Sequence, residues 1–128
     1  MTTELVLLVY SGLLTLVLAV IAVLGAMQQV GLPTLAGNRE GMPEITGWAG
    51  RAERAHRNML ESLVLFAIAV LVAKSIGVSN GMTVLGAQLF FWGRVAHAVL
   101  YLAGIPWLRT GAWAISILGI VLIGLQLR

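Results

Sequence analysis

Four apolar stretches limit what this chain can become. They cover residues 5–30, 59–76, 82–104 and 107–127. Each approaches the ~20 residues that carry a helix across a bilayer core. In lipid only helices and closed barrels satisfy their own backbone, and these stretches lack the period-2 alternation of a barrel strand. The 128 residues therefore read as one all-α membrane domain of four spans. The composition agrees: 59% of residues are hydrophobic and 10% charged, where soluble domains are roughly a quarter charged. The first stretch has no positive residue before it, only Glu4, and is longer than the apolar core of a secretion signal. It reads as a retained span.

The connections set the topology. Residues 31–50 form one long link, broken by Pro33, Pro43 and several glycines, with Thr46 or Gly47 able to start the second helix. The links at 77–81 and 104–106 are short, so consecutive spans must run antiparallel, up and down. Arg39, Arg51, Arg54, Arg57 and Arg109 fall on one side, and only Lys74 and Arg128 on the other. The positive-inside rule places the long link in the cytoplasm and both termini outside. Trp48, Trp107 and Trp113 suit the interface. Small residues form stripes, Ser11-Thr15-Ala19-Ala22-Ala26 and Ala112-Ser116-Gly119, which fit helix packing within one subunit or between subunits.

The formal net charge is +3, but the cations sit in one link and at span ends. No exposed basic surface tracks phosphates, which excludes nucleic acid. With no cysteine, any thiol chemistry must use a thiol brought by a ligand. His56 and His97 lack the further ligands of a metal site, so none is expected, and His56 lies off the main polar stripe.

Two polar stripes interrupt the apolar pattern. Arg54, Arg57, Asn58 and Glu61 share one face of the second helix at i, i+3, i+4 and i+7. Arg94, His97 and Tyr101 share a face of the third. Charge at membrane depth is costly, and is usually kept because it holds something polar. A salt bridge between Arg94 and Glu61, the one acid placed inside an apolar span, is one expectation. The whole set, with Arg109, has four arginines to one carboxylate. That excess suits an anionic or zwitterionic ligand, because guanidinium clasps carboxylates in a fork.

At these residues the chain resembles the MAPEG family (membrane-associated proteins in eicosanoid and glutathione metabolism). Glu53-Arg54-Ala55-His56-Arg57-Asn58-Met59-Leu60-Glu61 is similar to its E-R-x-x-x-N-x-x-E signature. Arg94-Val95-Ala96-His97, Tyr101 and Arg109-Thr110 resemble the corresponding stretch of its prostaglandin E synthases. The Gly37–Glu40 loop looks like that of bacterial members, which implies a bacterial inner membrane. The resemblance implies a homotrimer of four-helix subunits with glutathione bound between them near the cytoplasmic face. Arg54, Arg57, Asn58, Glu61, Arg94, His97 and Tyr101 would bind glutathione as co-substrate. Arg109 and Thr110 would be catalytic, beside the sulfur. The implied activity is that of a glutathione transferase or peroxidase acting on lipophilic electrophiles or lipid hydroperoxides. The chain departs from the family near the end of the first span: some enzymes there have a further arginine, and this chain reads Met27-Gln28-Gln29-Val30, with Arg39 following in the link. The alternatives are a non-catalytic lipid-binding or scaffold member of the same fold and a small multidrug-type transporter. The transporter is disfavoured because residues 5–30 carry no charge.

Overall fold

A computed structural model describes all 128 residues, and every regular element is helical. Helix α1 spans Thr3–Val30, α2 Leu32–Ala36, α3 Gly47–Ser75, α4 Gly81–Ala103 and α5 Pro106–Leu125. The ends follow from local chemistry. Thr2 caps α1 through its side-chain oxygen, which accepts from the Leu5 amide. Asn80 and Thr83 form a reciprocal capping box on α4. Gly104 ends α4 at φ 78°, where a side chain would be strained, and Pro106 opens α5 two residues later.

The four long helices form the expected up-down bundle, held by the two short links after α3 and α4. Helix α3 begins well before its apolar part, at Gly47, and the long link contains the five-residue α2. Three helices, α1, α3 and α5, are long and apolar enough to cross a membrane. Helix α4 is comparable at 23 residues but carries Gln88, Arg94 and His97.

The core runs along the α3–α4 seam, where Phe66 and Phe90 stack at 4.0 Å between centroids, both fully buried. Lipid tails give no hydrophobic drive to pair helices, so close backbone approach matters. The tightest approach joins α4 to α5, where a Cβ on Gly119 would meet the Gly86 carbonyl oxygen and one on Gly86 would lie 2.5 Å from the Gly119 carbonyl oxygen. The small-residue stripe of α5 is thus used within the chain, with Ala112, Ser116 and Gly119 buried. On α1, Ser11, Thr15 and Ala22 are likewise buried. Ser11 and Thr15 donate their hydroxyls to carbonyls one turn back, which spares them an unpaired donor. Large apolar side chains on the outer faces, such as Leu13, Leu16, Ile68, Leu71 and Leu118, stay about half exposed.

Gln29 closes the long link onto the bundle. Its amide donates to the Thr46 carbonyl at 2.8 Å, and its oxygen accepts from the Thr46 amide at 3.0 Å. Both ends of the side chain are thereby committed to the start of α3.

Candidate functional site

The end of α4, the start of α5 and one turn of α3 meet at one end of the bundle. Asn58, His97, Tyr101, Arg109, Thr110 and Trp113 line a half-open cavity of about 270 Å3 there. Five of these six are residues that the sequence marks for the site. Trp113 is the addition. Its helical spacing from Arg109 and Thr110, at i+4 and i+3, is the signal that would have found it.

The Gly104 turn sets the geometry, because it folds α5 back along α4 and brings Arg109 beside Tyr101. The Arg109 guanidinium carbon lies 4.2 Å from the Tyr101 ring centroid, over its face. The Tyr101 ring in turn meets His97 edge-on at 5.4 Å. Arg51 braces the turn by donating from Nε to the Leu102 carbonyl at 3.1 Å. Thr110 is exposed and donates its hydroxyl to the Pro106 carbonyl at 3.2 Å.

Arg94 stands behind the cavity rather than in its wall. Only 1% of it is exposed. Its Nη2 donates to Asn58 Oδ1 at 2.8 Å, and its Nε points at the Met59 sulfur at 3.3 Å. Its Nη1 is buried without a partner. The expected Arg94–Glu61 salt bridge is not formed: Glu61 is exposed, and the one ion pair within the chain joins Arg57 to Glu53 at 3.1 Å. The reason is azimuth. Asn58 lies three residues before Glu61, about 60° away around the helix, and α3 is turned to present Asn58 and Met59 to α4. The acid buried in the bundle is instead Glu4, at the far end of α1.

Arg54, Arg57 and Glu61 do not enter the cavity. All three are exposed. His56 lies elsewhere, with Arg39 and Glu53, on an apolar cavity of about 220 Å3 between α1 and the long link. No group of three or more His, Cys, Asp or Glu side chains is arranged to hold a metal.

Chemically, the cavity gathers one guanidinium, an amide, an imidazole, a phenol and a hydroxyl, and its wall contains no carboxylate. The positive charge of Arg109 meets only an aromatic face and open space. Such a wall attracts an anion and offers donors and acceptors to a peptide.

Comparison with family models gives one match, described as the MAPEG family, over residues 3–128. Comparisons with curated proteins and with solved structures give no match.

Proposed function

The chain belongs to the MAPEG family, and on that premise we propose that it is a membrane-bound glutathione transferase or peroxidase. The observation that carries the reading is Arg109, uncompensated by any acid, beside Thr110 in a cavity that opens at a bundle end. Glutathione is a tripeptide with two carboxylates, one ammonium and a thiol. Its thiolate is the reactive form, and an adjacent guanidinium favours it. Arg109 is assigned that task, with the Thr110 hydroxyl turning from the Pro106 carbonyl to donate to the sulfur. Tyr101 holds the Arg109 guanidinium by its ring face. Asn58 and His97 take the peptide groups, and Arg94 keeps Asn58 in place.

The exposed stripe of Arg54, Arg57 and Glu61 suits the remainder of the ligand. The arginines match its carboxylates and Glu61 its ammonium. A homotrimer accounts for their exposure in a single protomer, since a ligand between subunits would use them from the neighbouring side. The positive-inside bias puts this end at the cytoplasm, and the apolar outer faces admit a lipophilic second substrate from the bilayer.

Two reactions are open to a held thiolate. In transfer, sulfur forms a bond to an electrophilic carbon, and the displaced group leaves with the bonding pair. In reduction, sulfur attacks the terminal oxygen of a hydroperoxide, the O–O bond breaks and an alcohol leaves. A second glutathione then reduces the sulfenic acid, giving the disulfide and water.

The test is the ultraviolet thiolate band on adding millimolar glutathione to the purified protein. The wild type shows the band, and Arg109→Ala loses it while Arg109→Lys keeps part. An unchanged band in Arg109→Ala rejects the assignment. No binding at millimolar concentration favours the lipid-binding scaffold reading, which the glutamines in place of a first-span arginine also favour.

A further inference from the structure

The opposite end of the bundle holds a second polar cluster that plays no part in thiol chemistry. Glu4, in the first turn of α1, is 4% exposed. Its Oε2 accepts from Ser79 Oγ at 2.7 Å and from Thr83 Oγ1 at 3.1 Å. Its Oε1 is buried with no partner. Glu4 lines a cavity of about 120 Å3 together with Thr2, Lys74, Gly77, Val78 and Ser79. No hydrogen bond within the chain ends on the carbonyl oxygen of Gly77 or Val78. The unmet acceptors here are one buried carboxylate oxygen and two carbonyls of the turn, and the Lys74 ammonium is the unmet donor beside them. The complement of those acceptors is a donating, positively charged group.

A metal ion is the weaker candidate. A hard cation asks for six or more oxygens with several charges among them, and no group of three acids or histidines exists. A primary ammonium has three donors, and one carboxylate with two carbonyls answers them. Lys74 does not fill this role itself. It forms no ion pair with Glu4 and stands exposed at the rim. Acid within and cation at the rim is the charge order of a zwitterion whose ammonium enters first. Around the same end, Val72, Ile76 and Met82 leave 42%, 53% and 41% of their surface open, an apolar collar suited to acyl chains.

We propose that this cavity binds the phosphoethanolamine headgroup of a phospholipid. Glu4 takes the ammonium, and Lys74 takes the phosphate. The chains run down Val72, Ile76 and Met82. A choline headgroup is excluded because its nitrogen has no N–H and is encased in methyls.

Native mass spectrometry of the detergent-purified protein, with equimolar phosphatidylethanolamine, phosphatidylcholine and phosphatidylglycerol, tests this. The wild type should retain phosphatidylethanolamine about tenfold or more over phosphatidylcholine, the ratio that one hydrogen bond to a charged group supports. Glu4→Gln keeps the Ser79 and Thr83 contacts yet should erase that preference. Lys74→Ala should weaken retention of both ethanolamine and glycerol lipids. With the unaltered protein, adding one, two and three N-methyl groups to the ethanolamine lipid should lower retention stepwise, so the test survives if Glu4→Gln fails to fold. Equal retention of ethanolamine and choline lipids by the wild type overturns the proposal, as does a preserved preference in folded Glu4→Gln. Soluble phosphoethanolamine binding as tightly as the lipid would overturn the assignment to a bilayer source.

Discussion

Replacing Asn58 by alanine isolates the most consequential contact between the two polar stripes. Arg94 is almost wholly buried, and Asn58 Oδ1 is the one oxygen that its guanidinium reaches. The Met59 sulfur is a weak acceptor, and Nη1 already lacks a partner. Asn58→Ala would leave a buried cation with only that sulfur. A hydrogen bond to a charged group contributes about 1.5–3 kcal/mol, and breaking a fully buried ion pair costs about 3–5 kcal/mol. The neutral partner and the open cavity beside Asn58, which admits water, place this case low in that span. The expected cost is about 2 kcal/mol, roughly thirtyfold in the unfolding constant. Arg94→Met removes the charge and keeps the stem, leaving Asn58 at a cavity wall that water reaches. It should cost less than about 1 kcal/mol. The double variant should then match Arg94→Met, giving a coupling of about 2 kcal/mol. Reversible unfolding in mixed micelles, titrated with a denaturing detergent and followed by circular dichroism, measures all four proteins. The reasoning fails if Asn58→Ala stays within about 0.5 kcal/mol of the wild type, or if the two substitutions simply add.

Other expectations concern packing and the cavity. Gly86→Ala drives a methyl against the Gly119 carbonyl oxygen and should cost about 1–3 kcal/mol in the same unfolding assay, whereas Gly12→Ala, with nothing within 4 Å of its added methyl, should be neutral or stabilising. Phe66→Ala removes one ring of the central stack and should cost about 3–5 kcal/mol, read as a lower detergent midpoint. Tyr101→Leu takes the aromatic face from Arg109, an interaction of about 0.5–2 kcal/mol, and should raise the apparent pKa of bound glutathione thiol in a pH titration of the thiolate band. Arg57→Ala should raise the KM for glutathione several-fold and leave the thiolate band intact at saturation. Loss of the band in that variant would place Arg57 beside the sulfur instead.

Much of the architecture was legible without coordinates. Four stretches long enough to span, Gly104 before Pro106 and Asn80 before Thr83 define four helices and their two tight turns through hydrogen-bonding needs that are local. Helical periodicity also placed His97, Tyr101 and Arg94 on one face of α4, because 3.6 residues per turn is a property of a single segment. Five of the six cavity residues follow from that rule together with the family signature. What periodicity does not carry is how far one helix is rotated and slid against the next, since many side chains on each share the packing. That rotation gave Arg94 to Asn58 and left Glu61 outside. It seated Glu4 against Ser79 and Thr83, seventy-five and seventy-nine residues away. It set Gly86 against Gly119. Each of those pairings joins segments distant along the chain, and only the packed bundle, where one side chain's volume excludes another, decides among the partners that local chemistry allows.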